Sequence, residues 1–183
     1  SKIQIYKSYG TAMLKSKNLT LEFVGSRKES YLMKSRNPEI SFGTLNEDLE
    51  RRDFTINSMA ISLNRENYGV LIDPFKGIVH LKNQIIKTPL DPIKTFSDDP
   101  LRMLRAIRFC SQLNFKIEPN SLRAITQNSE RISIITNERI VIELNKILES
   151  KKPSKGFIIL DETGLLEKII PELVSLGETK SVN

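Results

Sequence analysis

The chain has 183 residues, of which 39% are hydrophobic, and it carries a formal net charge of +6. This composition excludes a disordered polymer and allows one large domain or two small ones, and no apolar run approaches the roughly 20 residues needed to span a membrane. The single cysteine, Cys110, and the single histidine, His80, exclude an internal disulfide and a zinc site of the usual kind, and one cysteine fits a reducing cytosol. Residues 1–5 contain no apolar run of the secretory type, so we expect a cytoplasmic protein without a secretory leader.

The first third of the sequence predicts β-strands. Three β-leaning segments separated by polar residues predict a three-stranded meander or two hairpins, at Ile3–Tyr6, Thr11–Lys15 and Leu19–Val24. Residues 26–44 are polar and contain the breaker Asn37-Pro38, so they predict a long loop.

The hydrophobic period then changes. Residues 46–52 predict a helical turn. Val70–Ile72 and Ile85–Lys87 predict two short strands, and the intervening run Asp73-Pro74-Phe75-Lys76-Gly77 predicts a turn.

Residues after Pro92 predict a wholly helical region. The clearest helix begins at Asp99-Pro100 and runs to about Leu113, because Asp is preferred at the N-cap and Pro at the first helical position. Its apolar side holds Leu101, Leu104, Ile107 and either Cys110 or Ser111. Further helices are predicted at Ser121–Thr126, Asn137–Leu148, Ser154–Thr163 and Leu165–Ile169.

Two arginine-rich segments contain the candidate functional residues, and the first is residues 48–60, DLERRDFTINSMA. Arg51 and Arg52 beside Asp53 could bind triphosphate oxygens and a ribose hydroxyl together, because a guanidinium offers a planar fork of donors and a carboxylate accepts from a hydroxyl. The spacing alone favours the alternative, an ordinary salt-bridged helix end.

The second segment is residues 97–109, SDDPLRMLRAIRF. Arg102 and Arg105 share a helix face, Arg108 follows at the same step, and Asp99 lies one turn before Arg102. A carboxylate and a guanidinium placed in this way could pair with a nucleobase edge while the other arginines hold phosphates, and the basic net charge agrees with a polyanionic partner. In the alternative, Asp99 caps the helix and the arginines form a solvated face.

Several ordered phrases resemble the class II CCA-adding tRNA nucleotidyltransferases and the related bacterial poly(A) polymerases. The main ones are RRDFTINSMA (51–60), LIDPFKG (71–77) and DDPLRMLRAIRF (98–109), and weaker matches extend over nearly the whole chain. The resemblance implies an α+β protein. Residues 1–91 would be the latter part of a polymerase-β-like nucleotidyltransferase head with a mixed or antiparallel sheet, and residues 92–183 would be an all-helical neck and body that binds RNA and nucleotide.

The resemblance also implies roles for individual residues. Arg52 matches an arginine that contacts the incoming nucleotide, and Asp53 matches an aspartate linked to ribose recognition and sometimes counted as a third catalytic carboxylate. Asp99 and Arg102 match the pair that reads the base edge of CTP or ATP. Arg105 and Arg108 match further arginines that contact the nucleotide. Arg139 and Glu143 match residues that brace the helix carrying the base-reading pair.

Three positions depart from the pattern of the family. Asp98 stands where Glu is usual, Lys76 replaces a small or acidic residue, and His80 replaces an aspartate. The turn before Gly77 is associated in the family with movement between nucleotide states, so these changes could alter its mobility. We expect His80 to be a surface or partly packed residue without a chemical role.

The metal ligands that the resemblance implies lie outside this chain. Members of the family carry a glycine-rich segment and an Asp-x-Asp pair upstream of the region that matches Ser1, and these carboxylates bind two Mg²⁺ ions. Glu22 is not part of that motif and is expected to be structural or peripheral. We therefore expect no metal site within the chain and no catalysis by the chain alone.

The implied function of the complete protein is the addition of C, C and A to the 3′ end of tRNA from CTP and ATP, without a nucleic-acid template and without a membrane partner. A poly(A) polymerase or a partial CC-adding or A-adding enzyme would share the same motifs. A non-catalytic RNA-binding module derived from the same fold is the alternative from another class. The sequence alone leaves all of these open.

Overall fold

The structure is a computed structural model that describes residues 2–6, 10–30 and 39–177. Strands dominate the first part and helices the second, which confirms the predicted α+β class. The strands are β1 (Lys2–Tyr6), β2 (Thr11–Lys15), β3 (Thr20–Val24), β4 (Arg27–Ser30), β5 (Glu39–Phe42), β6 (Ala60–Ile61), β7 (Leu71–Ile72), β8 (Ile85–Ile86) and β9 (Lys116–Ile117). The helices are α1 (Leu45–Glu50), α2 (Gly77–Lys82), α3 (Pro92–Asp98), α4 (Leu101–Leu113), α5 (Pro119–Asn128), α6 (Asn137–Leu148), α7 (Pro153–Glu162), α8 (Leu165–Ile169) and α9 (Pro171–Gly177).

Strands β1, β2 and β3 form the predicted antiparallel meander, in the order β1-β2-β3. The prediction of a loop over residues 26–44 is wrong at both ends, because β4 and β5 pair there with Arg27 opposite Phe42. A ladder needs only backbone groups, and four residues on each strand are too few to show a clear period within a mostly polar stretch. The predicted breaker Asn37-Pro38 lies outside the described residues.

Helix α1 follows β5 and begins with a capping box. Thr44 accepts a hydrogen bond from the backbone N–H of Glu47, and the Glu47 carboxylate accepts from the Thr44 N–H at 2.9 Å. Such reciprocal bonds satisfy two donors that a helix start would otherwise leave unpaired. Just before the cap, a Cβ on Gly43 would lie 2.9 Å from the carbonyl carbon of Arg27, so only glycine lets β4 approach this closely.

The segment between α1 and α3 contains small paired elements. Residues 55–57 form a 3-10 turn, and β6 pairs with β7. The predicted turn at residues 73–77 leads into α2, a helix the sequence analysis missed. Asp73 holds its start by accepting from the backbone N–H groups of Gly77 and Ile78 at 2.6 and 3.0 Å.

The helical region is organised around α4. This helix begins at Leu101, one residue after the predicted start, and Asp99 Oδ1 accepts from the Leu101 N–H at 3.3 Å. The predicted apolar side of α4 is buried, and α6, α7 and part of α3 pack against it. The prediction that everything after Pro92 is helical is wrong at β9, which pairs in parallel with β8. This ladder joins residues on both sides of the predicted boundary near Pro92, and the two-domain division stays a prediction.

The core is formed by described residues from Leu49 onward. Every buried hydrophobic residue that the structure describes has a number of 49 or higher, and most belong to one cluster around α4. In the described ranges, no helix combines the length and the apolar composition needed to cross a bilayer.

Candidate functional site

An open cleft of about 610 Å³ lies between the end of α1 and the exposed side of α4. Its lining residues come from two short stretches of sequence, and they are Arg51, Arg52, Asp53, Asn57, Asp99, Arg102, Arg105 and Phe109. The structure therefore brings together five of the six predicted site residues. Arg108 is the exception and does not line the cleft.

Asp53 and Arg105 form an ion pair on one wall of the cleft. Asp53 Oδ2 accepts from Arg105 Nε at 2.8 Å and lies 2.6 Å from Nη2. One carboxylate oxygen therefore contacts two nitrogens of the guanidinium. Asp53 Oδ1 accepts from the Phe54 N–H at 2.9 Å and from Asn57 Nδ2 at 3.0 Å. The Asp53 side chain is buried and the Arg105 side chain is one-third exposed, so the pair turns its positive member toward the cleft.

Asp99 and Arg102 lie side by side at the start of α4. Arg102 Nε is 4.0 Å from Asp99 Oδ2, and Arg139 Nη2 of α6 is 3.9 Å from the same oxygen. Arg102 Nη2 donates to the backbone carbonyl of Arg51 at 2.6 Å, which ties α4 to the end of α1. A carboxylate and guanidinium donors therefore lie together at the start of α4, and Asp99 also caps the helix through the Leu101 N–H; a role of the pair in base reading stays a prediction.

Asp48 organises the arginines at the end of α1 and was not among the predicted site residues. Its Oδ1 accepts from Arg51 Nε and Nη2 at 3.0 and 2.6 Å, and its Oδ2 accepts from Arg52 Nε and Nη2 at 3.4 and 3.2 Å. Burial alone would raise the pKa of Asp48, but the hydrogen bonds from Arg51 and from the Arg27 N–H hold that pKa below its ordinary value. The signal in the sequence was the i,i+3 and i,i+4 spacing to the two arginines.

Arg108 does not line the cleft; its guanidinium carbon lies 4.3 Å from the centroid of the Phe109 ring, and it pairs with Glu143 of α6. Its Nη1 lies 3.1 Å from Glu143 Oε2, and both side chains are more than nine-tenths buried. Burial lowers the pKa of Arg108 even though Glu143 opposes the shift. Glu143 thus contacts α4 and Arg139 contacts Asp99 just before it, and the bracing role that the resemblance implied for them stays a prediction.

Phe109 forms the apolar part of the cleft. Its ring packs edge-on against Phe54 with centroids 5.7 Å apart, and the Arg105 guanidinium carbon lies 5.6 Å from its centroid. An aromatic face under a guanidinium stabilises the cation and restricts its orientation. Phe109 and Asn57 are lining residues that the sequence analysis did not single out.

The charges of the cleft favour an anionic, partly planar ligand. Four arginines and two aspartates line it, which leaves a net charge of +2. Guanidinium groups bind phosphate oxygens with two donors at once, and clefts with one dominant charge concentrate oppositely charged ligands. Arg51 and Arg102 also line a second cavity of about 200 Å³, which Asp98 shares, and burial raises the pKa of the Asp98 carboxyl.

Asp53, the cleft carboxylate for which a catalytic role is predicted, does not fit a Mg²⁺ site in this arrangement. Its Oδ1 accepts two hydrogen bonds and its Oδ2 is held by the Arg105 guanidinium, so both oxygens are already engaged. In the part of the chain that the structure describes, no group of three or more His, Cys, Asp or Glu side chains could hold a metal ion.

The departing positions and Glu22 do not line the cleft, although Asp98 lines the adjoining cavity with Arg51 and Arg102. His80 is partly buried on α2, and its Nδ1 lies 3.0 Å from the hydroxyl of Thr55, two residues after Asp53. Lys76 adopts a left-handed backbone conformation with φ of 59° immediately before α2. Glu22 is exposed on β3, in agreement with a peripheral position.

Two family models match the chain. The model described as "Poly A polymerase head domain" matches residues 2–87, and the one described as "Probable RNA and SrmB-binding site of polymerase A" matches residues 114–176. The CCA-adding enzyme of Anoxybacillus flavithermus is 39% identical over 173 residues, which cover 93% of this chain and 42% of that protein. The A-adding tRNA nucleotidyltransferase of Aquifex aeolicus is 38% identical over 165 residues, which cover 86% of this chain and 20% of that protein.

Solved structures show the same likeness. A tRNA nucleotidyltransferase complexed with a primer tRNA and an incoming ATP analogue superposes with a TM-score of 0.79 at 36% identity, covering 92% of this chain and 47% of that one. The chain belongs to the family of CCA-adding tRNA nucleotidyltransferases and bacterial poly(A) polymerases. It spans less than half the length of each of these relatives.

Proposed function

We propose that the cleft binds CTP and ATP and selects them for addition to the 3′ end of tRNA, as part of a CCA-adding nucleotidyltransferase. The observation that carries the proposal is the placement of Asp99 and Arg102 beside Arg51, Arg52 and Arg105 in one cleft. The relatives and the complex with primer tRNA and an ATP analogue support it. We also propose a cytoplasmic location for this protein.

The pair formed by Asp99 and Arg102 suits C and A and disfavours U and G. Cytosine and adenine each present an exocyclic amino donor beside a ring-nitrogen acceptor on the Watson–Crick edge. A carboxylate can accept from the amino group while a guanidinium donates to the ring nitrogen. Uracil and guanine present the reverse order, a carbonyl oxygen and a ring N–H, so a bound U or G would leave Asp99 and Arg102 unpaired where the base shields them from water, at a cost of about 1–3 kcal/mol per group.

The remaining arginines suit the triphosphate and the ribose. Arg51 and Arg52 lie at the end of α1 and Arg105 lies across the cleft on α4, so phosphate oxygens between them could meet donors from both sides. Asp53 is proposed to recognise the ribose. Its Oδ2 faces Arg105, and a ribose hydroxyl would share or replace one of those bonds. Arg108 would act indirectly in this geometry, by fixing α4 through Glu143.

Activation of the primer 3′-hydroxyl and neutralisation of the pyrophosphate are the chemistry that Mg²⁺ would supply to the complete protein. We assign none of the described residues to this ion. Their proposed work is limited to binding, base selection and orientation of the nucleotide.

The direct test is nucleotide addition by the full-length gene product. tRNA transcripts that end before, within and after CCA would be incubated with labelled CTP or ATP and Mg²⁺. We expect C and then A to be added, and addition to stop at CCA. Arg102→Ala should lose addition or accept wrong bases, whereas Arg65→Ala, an exposed arginine outside the cleft, should behave as the wild type.

Other outcomes would select the alternatives. Unlimited A addition would indicate a poly(A) polymerase, and A addition only to transcripts ending in CC would indicate an A-adding enzyme, the activity named for the Aquifex aeolicus relative. A folded protein that adds nothing to any transcript but binds tRNA would indicate a non-catalytic RNA-binding module, which the match over residues 114–176 allows.

A further inference from the structure

Asp48 is a buried carboxylate that lies outside the cleft but contacts two of its arginines. It does not line the cleft, and its side chain is only 9% exposed. Both of its oxygens are nevertheless directed at cleft residues: Oδ1 accepts from Arg51 and Oδ2 from Arg52. One buried carboxylate thus holds two adjacent guanidinium groups, and the Arg27 N–H at 3.2 Å fixes the carboxylate to β4.

The contacts continue from Asp48 to the opposite wall of the cleft. Arg51, held by Asp48 through its side chain, accepts the hydrogen bond of Arg102 Nη2 with its backbone carbonyl. On the other side, Arg52 Nη1 donates to the carbonyl of Asn57 at 3.0 Å, and Asn57 Nδ2 donates to Asp53. Asp48 is therefore the common anchor of two hydrogen-bond chains that reach Arg102 and Asp53.

We propose that Asp48 is a positioning residue that pre-orients Arg51 and Arg52 for the β- and γ-phosphates of the incoming nucleotide. The inference rests on the proposed function of the cleft. Long guanidinium side chains lose rotamer freedom when they bind a ligand, and a buried anchor removes much of that cost before binding. A charge-assisted, nearly bidentate contact is suited to this, because it fixes the plane of the guanidinium as well as its position.

The alternative role of Asp48 predicts a change of opposite sign. If Asp48 only contributed its negative charge to the field of the cleft, its neutralisation would strengthen the binding of a polyanion. If Asp48 positions the arginines, its neutralisation weakens that binding although the cleft becomes more positive. The direction of the change in affinity therefore separates the two roles.

The experiment measures binding of ATP and AMP to the wild-type chain and to Asp48→Asn by isothermal titration calorimetry. We expect ATP to bind about 10-fold or more weakly in the variant and AMP, which lacks the two outer phosphates, to change by about 2-fold or less. Glu50→Gln is the matched control, since it removes one negative charge from the same helix at an exposed position outside the cleft. It should leave ATP affinity unchanged or slightly raised.

A second variant guards against a folding effect. Asp48→Glu keeps the charge and moves it by one methylene, so it should also weaken ATP more than AMP while circular dichroism stays that of the wild type. Unchanged or tighter ATP binding in either folded variant would overturn the positioning role and leave the proposed function standing. If the wild type bound neither ATP nor CTP, the proposed function itself would fail and the inference with it.

Discussion

Strand β3 and helix α4 each carry a row of large apolar side chains, but only those of α4 are buried. Leu21 and Phe23 on β3 are 41% and 60% exposed, whereas Leu104 and Ile107 on α4 are 0% exposed. The meander is held by its backbone ladder, and the helices are held by side-chain packing. Since burial of apolar area is the main source of folding free energy, the stability of the described chain should come from the helical region.

Two of the ion pairs illustrate the same contrast, although Lys168 and Glu130 form an exposed pair in the helical region and the buried Asp48 lies beside β4. The pair between Arg108 and Glu143 is buried beneath α4, whereas the pair between Lys28 and Glu47 near β4 is exposed. The cleft joins the two parts, since one of its walls is the end of α1 and the other is the start of α4. Asp99 and Arg102, the proposed base-reading pair, lie at the start of the well-packed helix α4. The Arg27 N–H joins β4 to Asp48, which holds the arginines at the end of α1.

Among substitutions that compare the two regions, the largest loss of folding stability is expected at Glu143. Replacing it by Ala leaves Arg108 buried without its partner, which should lower the free energy of unfolding by about 3–5 kcal/mol in urea denaturation. Lys28→Ala breaks the exposed pair and should have a far smaller effect. Equal losses in the two variants would contradict the proposed division of stability.

A double variant also separates packing from nucleotide binding at Arg108. Arg108→Met with Glu143→Leu replaces the pair by apolar side chains and should recover most of the stability that Glu143→Ala loses. ATP affinity retained in this stable variant would show that Arg108 acts only by holding α4. A selective loss of ATP affinity would assign it a direct role in binding.

The next largest difference in folding stability is expected between a leucine of α4 and a leucine of β3. Leu104→Ala removes a fully buried side chain from the core cluster and should cost about 2–5 kcal/mol. Leu21→Ala removes a leucine that is already partly exposed on β3 and should cost about 0.5 kcal/mol or less. Chemical denaturation of both variants would measure the difference, and a larger loss at Leu21 would place the core in the strands instead.

The helical region could be predicted well because its signals are local. Helix α6 has the predicted bounds, Asn137–Leu148, since its apolar residues recur with the helical period. Helix α4 ends at the predicted residue, and the Asp99-Pro100 signal placed its start to within one position. Five of the six predicted site residues share the cleft because they fall on two short segments, each of which has one local geometry.

What the sequence did not reveal depends on pairing between distant segments. The ladder of β8 with β9 involves two residues on each strand, too few to show a period, and it interrupts the region predicted to be wholly helical. The ladder of β4 with β5 has four residues on each strand in a mostly polar stretch, which is also too few to show a clear period. In the sequence, Asp48 is one of several charged residues at the end of a helix, and no pattern distinguishes it from them. Its importance depends on burial, which exists only once α1 lies against β4.

The smallest predicted effect lies at His80, on the short helix that packs against the 3-10 turn just after Asp53. Burial lowers the pKa of His80 from its ordinary value of 6.5, and the charge of Lys87 lowers it further. The unfolded chain therefore takes up a proton near that pH while the folded chain resists it, so the free energy of unfolding should fall as the pH drops below about 6.5. His80→Gln keeps a polar side chain near the Thr55 hydroxyl but cannot titrate. Its Tm should match that of the wild type at neutral pH and decline less between pH 7 and pH 5, and parallel declines in the two proteins would show that protonation of His80 is not coupled to folding.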